Sequence, residues 1–229
     1  MALPTLNATP KYNLTVPSTG NTLKYRPYLV KEEKILLIAA QSEDQQQIMT
    51  AIYDIISSCV ENVDVDTLTT YDLEYIFIQL RAKSVGESST VVMTCPSCQT
   101  KNDIVIDLNS VVCSKSSANP LVQITDDVKV ELKHPSYREI PAAEEVHEVG
   151  FNLIASGLKT VYSGNDRVNI EDEPFESVVR FLESMTQDQF AKITEFFEDS
   201  PVVKYDHDFV CTNCGEKELI EIKGMQSFF

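Results

Sequence analysis

The chain has 229 residues, of which 43% are hydrophobic, with 35 acidic against 19 basic side chains. A chain of this length can bury one large core or two small ones. The formal net charge of −16 disfavours nucleic acid as a partner, because such a surface repels phosphates unless a local basic patch overrides it. The densest basic stretch, residues 24–34, also contains Glu32 and Glu33, so no such patch is predicted.

The sequence contains no membrane-targeting signal. Its longest apolar run, residues 35–40, is too short to span a bilayer. The first residues, MALPTLN, lack the basic region and apolar core of a signal peptide. We therefore expect no membrane partner and a location in the cytoplasm where the protein is made.

The N-terminal third shows a strand pattern followed by helical patterns. Alternating apolar positions in residues 12–16 and 21–25 flank a turn rich in Pro, Ser and Gly, which predicts a β-hairpin. Apolar residues then recur at helical spacing in residues 48–59 and 73–80. Thr69 and Asp72 have the spacing of a capping box, which predicts that the second of these helices begins there.

Strand patterns begin at Ser89 and give way to helices in the second half. Two predicted strands surround the first cysteine pair, and a further hairpin is predicted over residues 121–132. Helical spacing returns in three stretches, the last of which follows a capping box formed by Thr186 and Gln189. These stretches are residues 146–154, 175–182 and 190–197. Strands are expected again around the second cysteine pair.

Acidic residues concentrate between Glu139 and Asp199. This stretch has 14 acidic and 4 basic residues, a net charge of −10 out of the total of −16. Amphipathic helices commonly carry such charge on the side that faces solvent. The alternative is an acidic face that docks a partner.

Four of the six cysteines form two C-x-x-C motifs, CPSC at residues 95–98 and CTNC at residues 211–214. A C-x-x-C turn between strands points both sulfurs at one metal ion, and two facing turns form the tetrahedral site of a zinc ribbon. Gly215 suits a turn that needs a positive φ, whereas Gln99 at the matching position suits it less well. We predict one structural Zn²⁺ per chain, with four ligands: Cys95, Cys98, Cys211 and Cys214.

Other interpretations of the cysteines remain open. The 112 residues between Cys98 and Cys211 mean that the two halves of the site come from distant segments. Two disulfides are disfavoured because the cytoplasm is reducing. A thioredoxin-like redox pair is disfavoured because no helix follows either motif. A catalytic zinc is disfavoured because four cysteine ligands leave no open coordination position. His207 is an alternative ligand. Cys59 and Cys113 are predicted to be core thiols.

No catalytic motif is present in the sequence. The chain lacks a Walker loop, a dinucleotide-binding fingerprint, H-E-x-x-H and G-x-S-x-G. The three histidines are scattered and form no constellation with a nucleophile. We therefore expect a protein that is not an enzyme.

Several segments resemble the baseplate hub subunit family of T4-like phages. YRPYLVKEEKILL at residues 25–37 and RAKSVGE at residues 81–87 resemble its N-terminal landmarks. The paired C-x-x-C motifs, the Phe-Phe helix before residues 199–201 and the terminal Phe228-Phe229 also fit. The resemblance implies a protein of the central hub, or a factor that assembles it, with other hub and tail proteins as partners. It leaves open whether the protein stays in the virion or leaves as a chaperone.

Arg26 and Arg81 lie within the two family-like segments. We expect these arginines to pair with carboxylates such as Glu33 and Glu74, as charges within a folded domain commonly do. The alternative is a docking surface for a partner.

The predicted fold class is α+β, in which a zinc-ribbon-like β element and an N-terminal β-hairpin pack with helical segments. The predicted domains are a hairpin with helices at residues 1–88, a zinc-ribbon module at 89–133 and 201–229, and an acidic helical insertion at 134–200. The predicted function is a non-enzymatic structural or assembly role in the phage baseplate hub, through protein–protein contacts. The alternative is a zinc-ribbon regulator that binds nucleic acid or a polymerase. The sequence leaves the oligomeric state open.

Overall fold

The computed structural model describes residues 9–42, 44–141 and 146–228. These residues form an α+β fold, which confirms the predicted class. The helices are α1 (Val30–Gln41), α2 (Gln45–Cys59), α3 (Thr70–Ser84), α4 (Val146–Ser156), α5 (Phe175–Glu183) and α6 (Gln187–Glu198). The strands are β1 (Tyr12–Thr15), β2 (Thr22–Tyr25), β3 (Ser88–Thr94), β4 (Lys101–Asp107), β5 (Val112–Cys113), β6 (Leu121–Gln123), β7 (Val128–Leu132), β8 (Leu158–Ser163), β9 (Asp166–Asn169), β10 (Val203–Val210) and β11 (Lys217–Lys223).

The chain divides into two compact units. The first unit comprises Met1–Ser114 and Val202–Phe229, and the second comprises Lys115–Pro201. This division differs from the predicted one, which placed residues 89–133 with the zinc-ribbon module. Strands β6 and β7 lie in the second unit because β7 pairs with β8 rather than with a strand that carries the cysteines. The second unit therefore contains a sheet as well as helices.

The first unit begins with the predicted hairpin of β1 and β2. Gly20, at a φ of 71°, adopts the left-handed conformation that its turn requires. The predicted helices α2 and α3 both have capped N-termini. Asp44 caps α2 by accepting from the N–H of Gln46, and the predicted capping box of Thr69 and Asp72 opens α3.

Arg26 ties the hairpin to the first two helices. Its guanidinium lies 3.0 Å from a carboxylate oxygen of Glu32 and donates a hydrogen bond to the Ser58 carbonyl. Glu32 is buried in α1 and also accepts from the N–H of Leu29. Arg26 thus pairs with a carboxylate, as expected, but the partner is Glu32 rather than Glu33.

Two antiparallel hairpins of the first unit carry the cysteines, β3 with β4 and β10 with β11. The free edge of β10 pairs with β5, so that this sheet has the order β11-β10-β5. The core packs α3 against both hairpins, with Ile78, Ile106 and Phe209 buried among them. Phe228 is buried in the same core, and Phe229 lies outside the described residues.

The second unit packs three helices with a four-stranded antiparallel sheet of order β6-β7-β8-β9. Helices α4, α5 and α6 lie where helical spacing predicted them, and Thr186 with Gln189 forms the predicted capping box. Gly157 joins α4 to β8 at a crowded point, because a Cβ there would meet the Phe197 ring and come within 2.9 Å of the Lys133 carbonyl oxygen. The core of this unit includes Val130, Leu158, Leu182 and Ile193.

Candidate metal centre

Each C-x-x-C motif forms the tight turn of its hairpin. In the first turn the N–H of Cys95 donates to the Thr100 carbonyl at 2.9 Å, and the N–H of Gln99 donates to the Cys95 carbonyl at 2.9 Å. The second turn repeats this pattern. The N–H of Cys211 donates to the Glu216 carbonyl at 2.8 Å, and the N–H of Gly215 donates to the Cys211 carbonyl at 3.0 Å. The two turns therefore share one backbone geometry.

The residue after each motif has a positive φ. Gly215 has a φ of 73°, which agrees with the expected requirement for glycine. Gln99 adopts a φ of 60° in spite of its side chain, whose amide donates to the Pro96 carbonyl at 3.2 Å. The backbone pattern of the turn thus overrides the conformational preference of Gln99.

The two turns bring four sulfurs together, although they are far apart in the chain. The sulfur atoms of Cys95, Cys98, Cys211 and Cys214 all lie within 4.8 Å of one another. Cys95 Sγ lies 3.8 Å from Cys214 Sγ, and Cys98 Sγ lies 3.6 Å from Cys211 Sγ. Sulfurs at about 2.3 Å from a tetrahedral Zn²⁺ are separated by about 3.8 Å, so the cluster has the dimensions of such a site. All four are free cysteines, and these distances are well above the roughly 2.05 Å of a disulfide.

Asn102 connects the two turns and contacts a sulfur. This side chain is only 4% exposed, and its amide nitrogen donates to the Thr100 carbonyl at 2.9 Å and lies 3.7 Å from Cys211 Sγ. Its amide oxygen accepts from the N–H and the hydroxyl of Thr212, each at 2.8 Å. A buried amide with all of these partners fixes both turns relative to each other. Local sequence patterns did not identify this residue.

The hydrogen bonds around the sulfurs change their acidity. Hydrogen bonds from the side chain and backbone of Thr100 lower the pKa of Cys98 to about 5. The backbone N–H of Cys214 lowers the pKa of Cys211. The backbone N–H of Glu216 lowers the pKa of Cys214, but the hydrogen bond of Cys214 with Cys98 and partial desolvation outweigh this effect and raise the pKa to about 12. Thiolates this close repel one another, and a cation among them would offset that repulsion.

The remaining candidates lie outside this cluster. Within the described ranges, the four cysteines are the one group of three or more Cys, His, Asp or Glu residues with metal-binding spacing. His207 lies on β10 beside the ring of Tyr205 and is not part of the group. Cys59 is buried, as predicted, and Cys113 is half-buried against the same core as the cluster.

The chemistry of the cluster follows from its donor set. Four sulfur ligands suit a tetrahedral metal ion and leave no coordination position for water or substrate. Both motifs connect two strands, whereas a redox-active C-x-x-C pair begins a helix. The arrangement can therefore hold a metal ion that joins two hairpins.

In the described part of the chain, no helix combines the length and apolarity that crossing a membrane requires.

Similarity to a known family extends over both units. A protein-family model described as T4 bacteriophage base plate protein matches residues 9–229. No match was found among curated proteins or among solved structures. Because the family match includes nearly the whole chain and both cysteine motifs, the chain belongs to the T4 bacteriophage base plate protein family.

Proposed function

We propose that the protein is a non-enzymatic structural or assembly component of the baseplate hub in a T4-like contractile tail. The family match over residues 9–229 is the observation that carries this proposal, because it makes the chain a phage baseplate protein. Assignment to the hub rests in addition on the family-like segments at residues 25–37 and 81–87. The donor set of the cysteine cluster supports a role without catalysis.

We further propose that the cluster binds one structural Zn²⁺ per chain, through Cys95, Cys98, Cys211 and Cys214. The sulfur separations and the absence of disulfides support this assignment. When bound, the ion supplies coordinate bonds that join the β3–β4 hairpin to the β10–β11 hairpin. Because the ligands come from the two separate chain segments of the first unit, metal binding contributes to the free energy of folding.

The proposed partners are other hub and tail proteins, which the chain meets in the host cytoplasm during assembly. Its net charge of −16 favours a partner with a basic or apolar docking surface. The same charge disfavours nucleic acid as the partner in the regulatory alternative.

Mass spectrometry of gradient-purified virions and of baseplate precursors from infected cells tests this function. We expect the chain to sediment with other hub proteins in at least one fraction. Presence in virions indicates a structural component, and presence in precursors alone indicates an assembly factor. Absence from both fractions contradicts the proposal. In a gel shift at low salt, tight and salt-sensitive binding to DNA or RNA would also count against it.

A further inference from the structure

Helix α1 exposes an apolar surface that the described residues of the first unit leave uncovered. Leu37 is 59% exposed and Ile38 is 58% exposed, and the neighbouring Ile35 is nearly half exposed. Single exposed apolar residues are ordinary, but contiguous ones on adjacent turns of a helix mark an interaction surface. In residues 35–40, Ala39 is the one buried side chain. The helix therefore presents more apolar surface than its packing against α2 requires.

A groove runs between this surface and helix α2. Ile35 and Ile38 line it from α1, one turn apart, and the buried Ala39 and Ala51 lie beneath them. The groove has a volume of about 400 Å³. Small residues between two helices allow the backbone of a third element to approach closely, as helix packing at 8–10 Å requires. We call this feature the α1–α2 groove.

The charges of the α1–α2 groove are of one sign. Asp54 lines it from α2 and Asp44 from the N-cap of that helix, and no lysine or arginine lines it in the part of the chain that the structure describes. Asp44 and Asp54 are ten residues apart, or about 15 Å along a helix. Lys31 and Lys34 lie near the start of α1, where Lys31 pairs with Glu32. The groove is thus apolar on one wall and acidic on the other.

We infer that the α1–α2 groove receives an amphipathic helix from a different tail protein. The apolar wall fits a stripe of residues at i, i+3, i+4 and i+7, which is the pattern of helices that dock in grooves. The two aspartates fit Lys or Arg residues ten or eleven positions apart on that helix, about 15 Å. A second copy of this chain fits less well, because it brings a further net charge of −16 to the interface. This inference deepens the proposed function and rests on it.

Photocrosslinking in cells infected by the encoding phage tests the inference. A benzophenone amino acid replaces Ile38 in one variant and Val105 in the control. The two side chains are 58% and 60% exposed, and Val105 lies on β4 outside the groove lining. We expect the Ile38 variant to crosslink a tail-protein segment with helical apolar spacing and Lys or Arg ten or eleven positions apart. The Val105 variant should not crosslink that segment.

A double variant tests the role of charge. Asp44→Asn with Asp54→Asn removes both charges, and asparagine still caps α2. We expect the yield of the Ile38 crosslink to the helical segment in infected cells to fall about five-fold, with an unchanged melting temperature of the purified chain. An unchanged yield contradicts the charge argument.

Other outcomes also overturn the inference. One such outcome is a crosslink from Ile38 to a second copy, to an acidic or non-helical segment, or to nucleic acid. Another is a chain that gives no Ile38 crosslink but still copurifies with baseplate proteins. In that last case the proposed function stands and the groove inference falls. A chain that copurifies with no baseplate protein rejects the proposed function itself.

Discussion

The side-chain oxygen of Asn102 accepts two hydrogen bonds from Thr212, which lies in the opposite cysteine turn. The amide nitrogen of Asn102 also donates to the Thr100 carbonyl and contacts Cys211 Sγ. Asn102→Ala should therefore weaken binding of the proposed zinc ion by about 10- to 100-fold. Lost buried hydrogen bonds should lower stability by about 2–3 kcal/mol. Competition with a chromophoric chelator and thermal melting measure these effects. Lys101→Ala, at the exposed neighbouring position, is the control, and equal zinc affinity in both variants would refute the role of Asn102.

Replacing one of the proposed sulfur ligands should remove the proposed metal ion. We expect Cys98→Ser to lose zinc and to melt at a lower temperature, because the site then has three thiolates. Cys113→Ser is the matched control, since Cys113 packs against the same core but lies outside the cluster. Elemental analysis should find one zinc per chain in the wild type and in the control. A wild-type chain without zinc, or a Cys98→Ser variant with unaltered metal content and melting, would reject the site.

The positive φ after each motif predicts opposite responses to substitution. Gly215→Ala should cost about 1 kcal/mol, because its φ is 73° and no atom lies near enough to clash with a new methyl group. Gln99→Gly should stay within about 0.5 kcal/mol of the wild type, since relief of strain offsets the added flexibility of the unfolded chain. Denaturant unfolding measures both. Gly86→Ala, which also has open space but no positive φ, is the control. Equal effects of Gly86→Ala and Gly215→Ala would contradict the conformational explanation.

The ion pair of Arg26 and Glu32 predicts a pH-dependent contribution to stability. Burial alone raises the pKa of Glu32, but hydrogen bonds from Leu29 and Arg26 outweigh it and hold the pKa below its ordinary value. The contribution is therefore complete above pH of about 4.3 and is lost as the pH falls through the lowered pKa. Arg26→Ala should cost about 2–3 kcal/mol at pH 7 and less in acid.

Lys31→Ala is the control for this pair. Lys31 also contacts Glu32, at 3.4 Å, but its side chain is largely exposed, so its loss should cost at most about 1 kcal/mol. Unfolding curves at pH 7 and pH 3.5 measure the difference. If Arg26→Ala leaves stability unchanged but prevents association with hub proteins, Arg26 belongs to a docking surface instead.

In the second unit, Gly157 lies at a point where even a methyl group would clash with its neighbours. Gly157→Ala places a methyl group against the Phe197 ring and the Lys133 carbonyl, and we expect a loss of about 1–3 kcal/mol. Gly150→Ala, in helix α4 with open space around it, should be neutral or stabilising by up to about 1 kcal/mol. Denaturant unfolding of both variants distinguishes them. Indistinguishable midpoints would show that the turn relaxes around a methyl group.

Local patterns predicted most of the individual elements. Helical spacing and capping boxes identified α2, α3 and α6, and the C-x-x-C motifs identified four residues that the fold brings together. Local patterns did not identify Asn102, although its position in β4 is informative. It shares the inward face of β4 with Ile104 and Ile106, and a polar residue in such a row is usually buried with hydrogen-bond partners.

Pairing between distant segments could not be predicted from local patterns. The helical insertion predicted at residues 134–200 contains strands β8 and β9, although Gly164 in their turn, at a φ of 57°, is a typical hairpin signal. If that hairpin is not recognised, the sequence shows no partner for β6 and β7 other than the strands that carry the cysteines. Helix α1 has six consecutive apolar residues instead of a spaced stripe, so periodicity did not define it.

The backbone N–H of Ser114 donates to the Val202 carbonyl at 2.9 Å, and the N–H of Val202 donates to the Ser114 hydroxyl at 2.9 Å. The whole second unit is therefore inserted between two positions that touch. During translation, Cys95 and Cys98 leave the ribosome before this insertion, and Cys211 and Cys214 leave it afterwards. The order of synthesis thus makes closure of the cysteine cluster a late step, which can occur only after the entire second unit has been made.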